Sequence, residues 1–160
     1  YVATLDRALG HFADLTAKAL GRDDRELPGA GAAGGMGVAA HCFLNATLTP
    51  GIEMIMQQAN FAQLLNDADL VITGEGRLDG QSLAGKTPIG VSRAAKRQGK
   101  PVIVLAGSLG DGWQACTEEG VTAAFALADG LMTLEQALPR TAELLADRCE
   151  SIARLWLASR

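Results

Sequence analysis

Aromatic side chains are scarce, with Phe, Trp and Tyr together making up 4% of the 160 residues. A core built without them rests on Ala, Leu, Val and Ile. That suits helices packed on a sheet better than a sandwich, and it leaves no surface for stacking bases. Basic runs are also missing: the net charge is −4 and the pI about 5.1. Nucleic-acid binding needs clustered Lys and Arg, so that partner class is excluded. An anionic small molecule is not, because a few local cations and backbone amides can hold one against the global charge. No apolar run approaches the roughly 20 residues of a membrane helix, and no signal peptide is visible, so no membrane partner is expected. Cysteine is limited to Cys42, Cys116 and Cys149, far apart and with no C-x-x-C, and only Cys42 has a histidine beside it, His41. This spacing predicts reduced thiols in a cytoplasmic protein, neither a disulfide framework nor a zinc site. An initiator Met is absent as well, since the chain opens at Tyr1. The expectation is a processed or trimmed piece of something longer.

What is present is concentrated in Asp69–Lys86, DLVITGEGRLDGQSLAGK. The apolar run Leu70–Thr73 reads as a buried strand ending at Gly74. Glu75, Arg77, Asp79, Gln81, Ser82 and Lys86 then follow, interleaved with Gly74, Gly76, Gly80 and Gly85. Charges and glycines just past the carboxyl end of a strand are where open α/β sheets place ligands.

Upstream, Leu5, Ala8, Leu9, Phe12, Leu15, Ala19 and Leu20 recur at helical spacing and predict an amphipathic helix over 4–20, followed by Gly21. Pro28–Gly37, PGAGAAGGMG, holds five glycines in ten residues, and Val38–Leu44 reads as a buried helix behind it. Thr49-Pro50 looks like a cap with proline at the first helical position, opening a helix to about Leu65. Downstream, Thr87-Pro88 repeats that signal for a helix ending at Gly99. Pro101–Ala106 is a buried strand closed by GSLGDG, whose Ser108 and Asp111 fit either a crevice lining or a plain turn. A short helix over 114–119 and a strand over 121–127 follow. Thr133–Gln136 is a capping box opening a long helix that carries Leu134, Leu138, Leu145, Cys149, Ile152 and Trp156. Residues 67–160 thus alternate β, α, β, α, β, α, the order of a parallel sheet with right-handed crossovers. Residues 1–66 show no strand, which sets an expected domain boundary near 67.

Two short patterns need their context. Gly29, Gly31 and Gly34 satisfy G-x-G-x-x-G, but a charged loop and Pro28 lead into it where the dinucleotide fingerprint requires a strand. A close-packed turn and a glycine-rich anion nest remain open. Gly80–Thr87 satisfies the P-loop pattern, yet six residues, Gly74–Asp79, separate it from the expected strand end. Pro88 also disfavours helical geometry at Thr87. The residue types themselves suit phosphoryl transfer: Arg77 and Lys86 for charge, Glu75 or Asp79 for a metal or a proton. A solvated loop with internal ion pairs is the plain alternative. His11 and His41 sit in helical patterns and read as packing or surface residues.

PGAGAAGGMG together with ITGEGRLD, Gln81-Ser82, Gly85-Lys86, Pro88 and Gly90-Val91 resembles the bacterial glycerate kinase family, of the glycerate 2-kinase type, along nearly the whole chain. The resemblance implies an ATP- and Mg²⁺-dependent kinase that acts on D-glycerate and favours the 2-phospho product. It implies a Rossmann-like α/β domain with a second domain inserted in it and the site in the cleft between. Residues 67–160 then form the C-terminal part of the first, and 1–66 a helical, glycine-rich piece of the second. It implies catalytic roles for Glu75, Arg77, Asp79 and Lys86, with Glu75 and Asp79 toward the metal. Gly29, Gly31, Gly34, Gly35, Gly74, Gly76, Gln81, Ser82 and Gly85 would meet the cofactor. Family members are more than twice as long, so the expectation is a C-terminal portion, inactive alone, with an open sheet edge for self-association. The competing functions are a P-loop-type nucleotide hydrolase and a non-catalytic interaction module.

Overall fold

The computed structural model describes residues 1–128 and 130–159. By its contacts the chain divides into two compact units, Tyr1–Thr49 and Pro50–Arg160.

The first unit is helical. Helix α1, Val2–Leu20, follows the apolar spacing and ends on Gly21, whose left-handed backbone (φ 71°) lets its N–H reach the carbonyl of Ala17. No residue of α1 is buried; Leu5 and Leu9 remain 64% and 66% exposed. Helix α2, Ala32–Leu44, contains a left-handed kink at Ala33, Gly34 and Gly35, so regular helix begins only beyond Gly35. Gly37 is needed for contact, since a Cβ there would lie 2.3 Å from the carbonyl oxygen of Gly29. Asp24 gathers the loop after α1, accepting from the Cys42 thiol at 3.4 Å and pairing with Arg22 at 2.8 Å.

The second unit is α/β, with a three-stranded parallel sheet in the order β1-β2-β3 among the described residues. Its strands are β1 Val71–Leu78, β2 Val102–Leu109 and β3 Ala123–Ala126. Strand β2 is central and alternates in what it touches. Val104 and Ala106 pack with Ile89 of helix α5, Thr87–Arg97, while Ile103 and Leu105 pack with Ile152 of helix α7, Thr141–Ala158. Burial on both faces is what a parallel sheet with crossover helices requires.

Several boundaries differ from the sequence expectations, each for a local reason. Strand β1 does not stop at Gly74. It continues through Glu75 and Arg77, which pair in register with Ala106 and Ser108 of β2. Glycines usually weaken a strand, but here they permit close backbone approach: a Cβ on Gly107 would meet the carbonyl oxygen of Gly76 at 2.6 Å. Strand β2 likewise runs to Leu109, beyond the expected Ala106. The helix expected from Pro50 to Leu65 is broken into α3 Gly51–Gln58 and α4 Phe61–Leu64 by Asn60, which is left-handed at φ 50°. Pro50 itself is the extended cap of α3, with no side-chain bond. The short helix expected over 114–119 is a 3-10 turn at Trp113–Thr117. The carboxyl-terminal helix opens with the expected capping box, with Gln136 N–H on Thr133 Oγ1, but a 3-10 turn containing Pro139 separates α6, Leu134–Ala137, from α7. The division at Thr49–Pro50 also lies upstream of residue 67. Ile52, Met56 and Phe61 pack on the cluster of Leu65, Val91, Ala95 and Val102, which ties 50–66 to the sheet. Among the described residues no helix is long and apolar enough to cross a membrane.

Ile89→Ala empties a fully buried position and is expected to cost about 2–5 kcal/mol in chemical denaturation. Ser92→Ala should be neutral or stabilising, because the buried Ser92 Oγ has no hydrogen-bond partner among the described residues. Burial pushes the Cys42 and Cys116 thiols up, with Asp24 and Asp79 respectively adding to the shift. At pH 8, Cys149 should therefore react first with a thiol reagent, and the other two only on unfolding.

Candidate active site

The site is built where β1 hands over to α5. Leu78, fully buried, anchors the end of β1, and its carbonyl accepts the N–H of Gly110 at 2.8 Å. The next residue, Asp79, turns extended and becomes the cap of a 3-10 turn, Gly80–Ala84. Its Oδ1 accepts the N–H of Gln81 at 3.1 Å and the hydroxyl of Ser82 at 3.4 Å. Its own N–H donates back to Ser82 Oγ at 3.2 Å, which completes a reciprocal capping box. Ser82 is fully buried, and the Asp79 side chain is only 17% exposed. Gly80 N–H donates to the carbonyl of Asp111 at 3.0 Å, so the turn is pinned to the GSLGDG segment after β2.

Arg77 projects from β1 with its side chain 63% exposed and donates Nε–H to Asp79 Oδ2 at 3.2 Å. The Asp79 carboxylate is therefore committed on both oxygens. Glu75 is different. Its Oε1 accepts only the adjacent Gly76 N–H, at 3.1 Å, and among the described residues it has no cationic partner. Gly85 closes the 3-10 turn in the left-handed region (φ 101°), which delivers Lys86 to the cap position of α5. The Lys86 side chain is exposed and unpaired among the described residues.

The sequence-predicted residues thus fall into sets. Arg77, Asp79, Gln81 and Ser82 form one hydrogen-bonded knot. Glu75, Gly74 and Gly76 line a cavity of about 610 Å³ at the carboxyl ends of the strands, walled by Leu105, Leu138 and Leu145. Gly85 borders a separate cavity of about 520 Å³ with Arg93 and Arg97. In the first unit, Gly31, Gly34 and Gly35 line a cavity of about 370 Å³ with Phe12 and Val38, whereas Gly29 packs by Leu48. His41 Nδ1 lies 2.9 Å from the carbonyl of Ala46, and His11 is exposed on α1. Among the described residues no three His, Cys, Asp or Glu side chains are grouped to hold a metal.

The P-loop pattern fails on a different ground from the spacing one. With β1 extended to Leu78, only Asp79 separates the strand from Gly80, and Thr87 is the first residue of α5. What excludes the motif is the 3-10 turn itself. The N–H groups of Gln81 and Ser82 point inward to Asp79, and that of Lys86 to Ser82, so they do not ring a phosphate. The D-x-x-S spacing of Asp79 and Ser82 was the available signal, a cap residue with a hydroxyl three positions on. Gly110 lies in the GSLGDG segment, which the sequence marked only through Ser108 and Asp111.

Residues 1–157 match the model of the glycerate kinase family. The chain is 49% identical over 152 residues to a glycerate kinase of Halalkalibacterium halodurans, covering 95% of this chain and 40% of that protein. It is 46% identical over 136 residues to the glycerate 2-kinase of Escherichia coli K12, covering 85% of this chain and 36% of that protein. A solved structure from Salmonella typhimurium LT2, described as a glycerate kinase 2, superposes with a TM-score of 0.71 at 43% identity, covering 97% of this chain and 40% of that one. The chain therefore spans about 40% of the length of such relatives. With the match extending over nearly all of its residues, this chain belongs to the glycerate kinase family.

Proposed function

We propose that these residues serve an ATP-dependent kinase that phosphorylates D-glycerate, with 2-phosphoglycerate as the favoured product. The observation that carries the reading is the junction of β1 and α5. There Arg77 is held on the capped Asp79, Lys86 stands at the cap of α5, and Glu75, two residues before Arg77 on β1, has no cationic partner among the described residues, in a chain of this family. Transfer forms a bond between a glycerate hydroxyl oxygen and the γ-phosphorus, breaks the γ-phosphorus–oxygen bond to ADP, and releases the hydroxyl proton to solvent. The charge spread over the phosphoryl oxygens has to be met by fixed cations. Arg77 and Lys86 are assigned that task, and Asp79 holds Arg77 in place. Mg²⁺, when bound, supplies further neutralisation of the phosphate oxygens. Glu75 would hold it, since magnesium sites commonly take one or two carboxylates plus phosphate oxygens and need no larger protein cage. The left-handed backbone at Gly34 and Gly35 suits N–H groups approaching an anion, and the glycine stretch is assigned to the cofactor.

On this reading the second unit is the C-terminal part of a Rossmann-like domain and the first a piece of a second domain, in a cytoplasmic enzyme. Strand β1 is an edge of the sheet among the described residues, and its open side is available for pairing, including self-association.

The test is a coupled assay with D-glycerate and ATP in a protein of the relatives' full length that carries these residues; the 160 residues alone are expected to give no turnover. Lys86→Ala and Asp79→Asn should each lower turnover by about 10²–10³-fold. Melting temperatures should move little, because Asn still caps the turn. Wild-type rates in both variants would remove this loop from the mechanism.

A further inference from the structure

Beyond the residues already assigned, the segment after β2 contains a position whose missing side chain makes room for Arg77. A Cβ built on Gly110 would lie 2.8 Å from both Nε and Nη2 of Arg77 and 3.0 Å from Cβ of Asp79. The guanidinium therefore lies directly over the Gly110 backbone. On its other side Nε–H is taken by Asp79 Oδ2 at 3.2 Å. Gly110 is itself fixed, its N–H on the carbonyl of Leu78 at 2.8 Å and its carbonyl accepting from Trp113 at 3.3 Å. Its backbone is not left-handed, so a side chain there meets no conformational penalty. The main obstacle is Arg77, the end of a flexible chain, while the Asp79 Cβ at 3.0 Å has to give by a few tenths of an ångström.

We propose that Gly110 and Asp79 form a seat for the Arg77 guanidinium, and that Gly110 is a positioning residue. The seat leaves the outer N–H groups of Arg77 directed to an anionic oxygen pair of the ligand. A guanidinium oriented in this way suits the bidentate geometry of a phosphoryl or carboxylate group, where Lys offers only a point charge. This proposal rests on the kinase reading, since it assigns Arg77 an anion of ATP or of D-glycerate.

The experiment uses Gly110→Ala, Arg77→Ala and the double variant in the full-length protein. Gly110→Ala should lower kcat/KM by about 10²-fold, the scale of a misplacement of about 1 Å. Its melting temperature should match that of the parent. In the Arg77→Ala background the same substitution should cost nothing further, because its effect acts through Arg77. A rise in KM for ATP alone identifies the anion as phosphate, and a rise for D-glycerate alone identifies the carboxylate. Additive losses in the double variant, or parental rates in Gly110→Ala, would overturn the seat. A parent with no D-glycerate kinase activity would overturn the kinase reading instead. The seat is then judged by NMR, where the Arg77 Nε–H signal should be protected from exchange in the parent and lose protection in Gly110→Ala. An unchanged signal contradicts it.

Discussion

The Asp79 carboxylate is the interaction on which the functional end of this structure depends. One oxygen takes the Gln81 N–H and the Ser82 hydroxyl, and the other takes Arg77 Nε. A single buried-edge acid thereby closes the turn after β1 and aims the cation before it. Capping alone is worth about 0.5–2 kcal/mol. The larger consequence is geometric. Without the cap, Gly80–Ala84 would have no reason to wind as a 3-10 turn, and Lys86 would not be delivered to the start of α5 at a fixed position.

The sheet supplies the rest of that rigidity. Strand β1 stays paired with β2 as far as Leu78, so Glu75 and Arg77 are strand residues, not loop residues. Two backbone bonds, Gly110 to Leu78 and Gly80 to Asp111, then tie the ends of both strands together. Beneath them the Cys116 thiol sits without exposed surface, and burial keeps it protonated. The charged groups thus stand above an apolar base formed by Leu78, Ile89, Val104 and Cys116, with Arg77 and Lys86 themselves exposed.

Much of this was legible in the sequence, and the exceptions are instructive. The β-α-β-α order, the parallel sheet and the Thr133 capping box follow from periodicity and from local hydrogen-bond chemistry. The extension of β1 was not legible, because GEGR has neither apolar alternation nor β-branched residues. Its strand character comes from pairing with β2, a non-local interaction. The break at Asn60 was likewise hidden, since nothing in its neighbours calls for a left-handed residue there. In the site, the sequence offered Asp79 for a metal or a proton, whereas its oxygens accept from Gln81, Ser82 and Arg77. Glu75 and Asp79 are the same chemistry in sequence, and only their partners distinguish the free carboxylate from the committed one. Within GSLGDG the sequence pointed to Ser108 and Asp111 and passed over Gly110, whose part is to leave space.

The account is tested most directly by a crystal structure of a protein of the relatives' length that carries these residues, with D-glycerate and a non-hydrolysable ATP analogue. Anionic oxygens of the ligands should lie within hydrogen-bond distance of Arg77 and Lys86. Asp79 should still accept from Gln81, Ser82 and Arg77. Ligands bound away from this junction, or an Asp79 released from its cap to touch them directly, would contradict it.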